Sequence, residues 1–291
     1  MSNEPNLLTI IDLLNRSSKY LKEKKIENPR LNAERLLASV LDISRVQLYL
    51  QYDRTLIPEE TNRYRDLIRR RSQNEPLQYI LGETEFMGIA FTVAPGVLIP
   101  RPETELLVEK TLALKNRFAS APPRIWDIGT GSGCIAVSLA LHWPGCQLTG
   151  SDVSGEALAQ AEENARRHGV SGLIRFIRHD ILQESPPYAE PPDIIISNPP
   201  YISQKEYEGL ADEIKNFEPP EALTDGENGL RFYDRIFTLI RNGLATKFCL
   251  LELSGFQTDA IIKQAEELSA VNIEIFEDLN SIPRVLLLEI R

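Results

Sequence analysis

The sequence predicts an α/β protein: a doubly wound, Rossmann-like sheet of seven strands with a C-terminal antiparallel hairpin, preceded by a small N-terminal helical bundle. Three observations predict it. Apolar residues recur at three- and four-residue spacing through the first 75 residues, strand-like and helical stretches alternate from about residue 102, and only "LNSIP" separates the last two strand-like stretches.

In the first segment Leu7, Ile10, Ile11 and Leu14, then Leu36, Leu37, Val40 and Leu41, mark the buried faces of successive helices, with Pro29 and Pro58 at helix starts. The run "RYRDLIRRR", residues 63–71, reads either as a solvated face or as a docking surface for a macromolecular partner. Residues 77–101, "LQYILGETEFMGIAFTVAPGVLIPR", alternate in β fashion with Gly82, Gly88 and Gly96 as punctuation, which predicts a hairpin linker over 76–101. "PRPETELLVEKTL" then opens a helix with carboxylates in its first turn, as the helix dipole favours. The strands expected next are "RIWDIG", "QLTGSDV", "IRFIRHD", "DIIISN", "KFCLLEL", "VNIEIFED" and "RVLLLEI". The gap before the last is too short for a crossover helix, so the final two pair antiparallel. The expected domains are a helical docking domain over 1–75, the linker over 76–101 and a catalytic α/β domain over 102–291.

With 291 residues, 42% of them hydrophobic, the chain buries at least one sizeable core. The start "MSNEPNLL" lacks a basic, apolar leader, and no apolar run approaches the roughly 18 residues that span a bilayer, so a cytoplasmic protein with no membrane partner is expected. Cys134, Cys146 and Cys249 are odd in number and form no CxxC pair, which points to reduced thiols rather than zinc or disulfides. The net charge of −10 is uneven: residues 1–100 carry 14 Lys and Arg against 13 Asp and Glu, residues 101–291 carry 18 against 29. An acidic second part repels phosphates and disfavours nucleic acid as a partner.

The stretch "WDIGTGSGCIAVSLA", residues 126–140, has the form strand, glycine-rich turn, helix. Gly129, Thr130, Gly131, Ser132 and Gly133 let a ligand approach the backbone, with a helix start from about Cys134. A nicotinamide dinucleotide fingerprint fits less well, since the third glycine comes one residue early and Cys134 stands in its place. Asp152 ends the next strand about 20 residues on, where a carboxylate accepts both ribose hydroxyls of a nucleoside. Asp180 ends the third strand, where its carboxylate or the adjacent backbone is set to meet an adenine amino group, with Ile181 packing on the ring. Asp127 ends the first and positions the loop or a cofactor amino group. Each acid singly could be a helix cap; three consecutive strand ends with suitable groups favour a nucleoside cofactor.

In "DIIISNPPYISQKEY", residues 193–207, the buried strand Ile194–Ile196 stops at Asn198 because two prolines forbid further ladder bonding. Ligands of open α/β sheets bind just outside the carboxyl ends of the strands, where Asn198, Pro199, Pro200 and Tyr201 fall.

Together "DIGTGSG" and "NPPY" resemble the motifs of S-adenosylmethionine-dependent methyltransferases that act on planar nitrogen, whose class I fold has this seven-stranded layout. The wider run "LQYILGETEFMGIAFTVAPGVLIPRPETELLVE", with "SNPPYI", "ALTDGENGL", "LELSGFQ" and "RVLLLEI", resembles the PrmC/HemK family of protein-(glutamine-N5) methyltransferases over nearly the whole chain. "IPRPETE" beside "NPPY" is the more specific part. The resemblance implies S-adenosylmethionine as cofactor, S-adenosylhomocysteine as product, no metal, and class-1 peptide chain release factors, methylated on the glutamine of Gly-Gly-Gln, as protein substrates. It implies that the helical domain seats the factor; a monomer is expected. One departure is Ser254, two residues after Glu252, where the family usually has glycine; it bears on local loop geometry.

The chemistry fits. A glutamine amide nitrogen is a poor nucleophile because its lone pair is delocalised. Acceptance of its two N–H bonds by the Asn198 side-chain oxygen and the Pro199 carbonyl, beside the cofactor's methyl, would hold it in the electron-rich form, with Pro200 shaping the turn and Tyr201 as a wall. No base is assigned. Two further readings stay open: an amino-group methyltransferase acting on adenine, cytosine or guanine in nucleic acid, and a cofactor-binding or scaffolding protein without activity.

Overall fold

The computed structural model describes residues 8–188, 190–268 and 270–290. Residues 1–7, on which the leader reading rests and which include Leu7, lie outside them. The chain divides into two compact units after Gly82.

Among the described residues the first unit holds five helices, α1 (Ile10–Glu23), α2 (Pro29–Leu41), α3 (Arg45–Leu50), α4 (Pro58–Ser72) and α5 (Leu77–Leu81). Thr9 and Ser44 start α1 and α3 with reciprocal capping boxes to Asp12 and Gln47, and prolines start α2 and α4. Leu14, Leu36, Leu37 and Tyr64 are fully shielded among the packed helices. The β reading of residues 77–81 is corrected by α5. Leu77, Ile80 and Leu81, spaced by three and four, form a helical stripe that packs on the bundle core, and Gly82, at φ +76°, ends it. Two arginines of the 63–71 run are held within the unit. Arg71 is buried and donates to Asn32 Oδ1 at 2.7 Å, while Arg70 forks onto Glu75.

The second unit opens with a hairpin of β1 (Glu83–Phe86) and β2 (Ile89–Thr92), turned by Met87 and Gly88, both at positive φ as a tight two-residue turn requires. Then follow α6 (Glu105–Ala113), β3 (Arg124–Ile128), α7 (Cys134–His142), β4 (Gln147–Asp152), α8 (Gly155–Arg167), β5 (Ile174–Arg178) and β6 (Ile194–Ser197). After β6 come α9 (Gln204–Glu208), α10 (Asp212–Phe217), α11 (Arg231–Arg241), β7 (Phe248–Glu252), α12 (Thr258–Glu266), β8 (Ala270–Glu277) and β9 (Pro283–Ile290). The sheet order is β5-β4-β3-β6-β7-β9-β8, parallel through β7 and antiparallel at β9 and β8. This is the predicted seven-stranded α/β sheet with its terminal hairpin. Ile194 and Ile196 face one core and Ile195 the other, so the central strand is apolar throughout. Asn164 ties the hairpin to α8: it accepts from the Thr92 N–H at 2.8 Å and donates to the carbonyls of Thr92 and Ser132. The three cysteines are free and buried. Among the described residues no helix is long and apolar enough to cross a membrane.

Candidate active site

The chain runs from β3 outward to β4 and β5, then returns to place β6 on the other side of β3. Such a reversal leaves a crevice at the carboxyl ends of the two central strands. A cavity of about 330 Å³ opens there, lined on one side by Gly129, Gly131, Asp152, Asp180 and Ile181 and on the other by Asn198, Pro199 and Pro200.

The glycine turn leaves β3 through three left-handed residues, Gly129, Gly131 and Gly133, at φ +71°, +55° and +77°. A Cβ on Gly133 would meet Ala161 Cβ at 2.9 Å, so α8 fixes glycine at that position, whereas Gly129 and Gly131 leave their space open. The Gly129 and Thr130 N–H groups both donate to the Ser151 carbonyl, at 2.8 and 2.9 Å. Asp152 accepts from the Gly131 N–H through Oδ2 and from the Ser154 N–H through Oδ1, each at 2.9 Å. Its pKa is raised by burial, against the pull of those amides. Asp127 is fully buried; Thr130 donates to its Oδ2 at 2.6 Å, and its Oδ1 has no partner among the described residues. Burial, with the Asp152 charge adding to it, pushes Asp127 up to about 7.

At the other end β6 stops at Ser197, whose hydroxyl donates to the Ile128 carbonyl at 2.7 Å. Asn198 Nδ2 donates to Thr104 Oγ1 at 3.0 Å. The Tyr201 phenol donates to Glu252 Oε1 at 3.3 Å, and the Tyr233 phenol to the Glu252 carbonyl at 2.6 Å. Glu252 is pushed up to about 7 by burial, opposed by Thr104, Tyr201 and the Arg284 charge. The Tyr201 carbonyl accepts from Gln257 Nε2 at 3.1 Å.

The sequence-derived residues divide accordingly. Gly129, Gly131, Asp152, Asp180, Ile181, Asn198, Pro199 and Pro200 share one cavity. Thr130, Ser132 and Gly133 belong to the same turn but do not line the cavity; the Thr130 hydroxyl holds Asp127, and the Ser132 carbonyl accepts from Asn164. Both oxygens of Asp180 are taken within its own turn, by the Leu182 N–H and the Gln183 amide. Tyr201 lies outside the cavity wall, with its ring against the second core.

The chain matches known proteins. A family model described as the PrmC N-terminal domain matches residues 12–82, and the methyltransferase small domain matches residues 102–219. Release factor glutamine methyltransferases from Chlorobaculum tepidum and Geobacter sulfurreducens are 40% and 39% identical, over 97% and 98% of this chain and of their own length. The chain belongs to the release factor glutamine methyltransferase family. Among solved structures, the N-terminal domain of human METTL16 in complex with SAH is 17% identical, covers 94% of each chain and superposes with a TM-score of 0.51; it shares the fold.

Three features of this family member escape motif reading. In "IPRPETE", Arg101 pairs with the buried Glu218 at 2.5 Å and Thr104 holds Asn198. Gln257 ties two loops, since its amide donates both to Tyr201 and to the Asn228 carbonyl at 3.2 Å. Ser254, the departure from the family's glycine, donates to Gln257 Oε1 at 2.9 Å and accepts from the Phe256 N–H, so it orients that amide. Gly229, at φ +82°, is required beside this knot because a Cβ would collide with the Tyr201 carbonyl and the Gln257 amide.

Proposed function

We propose that this chain transfers a methyl group from S-adenosylmethionine to the side-chain amide nitrogen of the Gly-Gly-Gln glutamine in class-1 peptide chain release factors, acting in the cytoplasm as a monomer. One observation carries the reading: the strand-end Asn198, Pro199 and Pro200 face the glycine turn and Asp152 across a single cavity. The residues present fit the cofactor. Gly129 and Gly131 offer backbone with no side chain in the way, Asp152 is a half-buried carboxylate on the cavity wall, and Asp127 keeps an oxygen without a partner among the described residues.

In this reading Asp152 takes the ribose hydroxyls, Ile181 and Asp180 border the adenine, and Gly129 and Gly131 line the path of the amino acid moiety. When bound, S-adenosylmethionine supplies a methyl on a sulfonium, open to in-line attack by the amide nitrogen. Asn198 Oδ1 and the Pro199 carbonyl accept the two N–H bonds of that nitrogen, which orients its lone pair and raises the electron density at nitrogen. Proline serves here because it turns the chain while donating nothing that competes with the substrate.

The test is transfer of labelled methyl to purified release factor, to the same factor with Gln→Ala at Gly-Gly-Gln, and to DNA and RNA. Label on that glutamine alone is the expected result. Label on nucleic acid, or on none of these, overturns the substrate assignment.

A further inference from the structure

We propose that Thr104 and Glu252 are positioning residues that fix which end of the Asn198 amide faces the substrate. The proposal rests on the reading of Asn198 Oδ1 as an acceptor for the glutamine N–H. An asparagine amide is nearly symmetric in shape, so something must decide whether its oxygen or its NH2 points into the cavity.

The deciding chain runs inward. Asn198 Nδ2 donates to Thr104 Oγ1, and Thr104 is 2% exposed. A threonine hydroxyl has one proton, so an oxygen that accepts from Asn198 sends that proton elsewhere. Glu252, 1% exposed, is the carboxylate whose ionised form the Thr104 hydroxyl favours: its Oε1 takes the Tyr201 phenol, and its Oε2 is a buried acceptor with no hydrogen-bond partner among the described residues. An ionised carboxylate only accepts, so it draws the Thr104 proton, Thr104 accepts from Asn198, and Asn198 Oδ1 is left for the substrate. Protonation of Glu252 reverses every donor. The carboxyl gives its proton to Thr104, Thr104 gives its own to Asn198 Oδ1, and the NH2 turns toward a substrate that itself offers only N–H. The charged and titratable groups around Glu252 are Tyr201, Tyr233, Arg284 and Glu103; of these, Arg284 favours the ionised form and Glu103 opposes it.

Methyl transfer to release factor at saturating S-adenosylmethionine is compared for wild type, Thr104→Val, Thr104→Ser and Asn198→Ala, with cofactor affinity from calorimetry. Thr104→Val is expected to lose roughly 10- to 100-fold in kcat, because the acceptor is no longer held in register, while cofactor affinity is kept and Thr104→Ser restores most of the rate. Wild-type kcat in Thr104→Val, with Asn198→Ala inactive, overturns this proposal alone. Wild-type kcat in Asn198→Ala overturns the reading beneath it. If Thr104→Val does not bind cofactor, the wild-type kcat profile decides: a fall on acidification through about 7 supports the relay, and a flat profile from about pH 8 to 6 overturns it.

Discussion

At the glycine turn the fastenings span shorter stretches of chain, with Gly131 held by an aspartate 21 residues away, Ser132 by an asparagine 32 away and Thr130 holding an aspartate only three residues back, whereas Asn198 depends on a hydroxyl 94 residues away and Tyr201 on groups 51 and 56 residues away. The first end is built from backbone amides and missing side chains; the second is built from side chains carried in by separate loops. A backbone cradle suits a cofactor that is the same at every turnover. A side-chain scaffold can aim single hydrogen bonds at a reacting atom, but each bond depends on a distant part of the fold.

The sharpest way to break this contrast is Asn198→Ala. It should lower kcat by at least about 100-fold, as loss of a donor or acceptor aimed at a transition state does, while the S-adenosylmethionine dissociation constant stays close to wild type. Collapse of cofactor affinity in calorimetry would mean that the two ends are one site.

Asp152→Ala should do the reverse, weakening cofactor affinity by roughly 10- to 100-fold, the cost of a charged hydrogen bond, with kcat at saturation much less affected. An unchanged dissociation constant would remove Asp152 from the cofactor end.

Asp127 gives the cofactor end a pH dependence of its own in stability. Its folded pKa, about 7, lies above the ordinary 3.8, so its burial costs nothing below the lower value, costs more as pH rises, and reaches its full cost above about 7. Asp127→Asn should therefore gain in melting temperature over wild type at pH 8, and that gain should shrink as the pH falls to 5. A gain that grows on acidification would reverse the sign.

Ser254→Gly restores the family's usual residue and removes the hydroxyl that orients Gln257. A loss in kcat of only a few-fold is expected, equivalent to about 1 kcal/mol, with no change in cofactor affinity. A wild-type rate would show that the Gln257 amide holds Tyr201 unaided.

The same contrast explains what could be read from the sequence. Strand and helix alternation, the glycine turn and the stop at Asn198 are visible because short-range chemistry dictates them: apolar periods, positive φ, prolines without N–H. The role of Thr104 is invisible in the sequence, since a threonine between two glutamates acquires one only when the fold brings it to Asn198. The role of Glu252 is likewise not legible in the sequence, because it depends on the Tyr201 phenol and the surrounding core that enclose it. Residues 77–81 misled because "LQYIL" is short enough to satisfy a strand pattern, and only packing on the bundle makes the helical stripe decisive. Asp180 sat where the strand order put it, yet its own turn claims both oxygens.

Asn164 also governs how the second unit comes apart. One amide binds the hairpin at Thr92 and the glycine turn at Ser132, so the hairpin cannot peel away without freeing a buried polar group beneath that turn. Local opening of the hairpin and loosening of the cofactor cradle are therefore one cooperative event, and whatever stiffens one protects the other against unfolding.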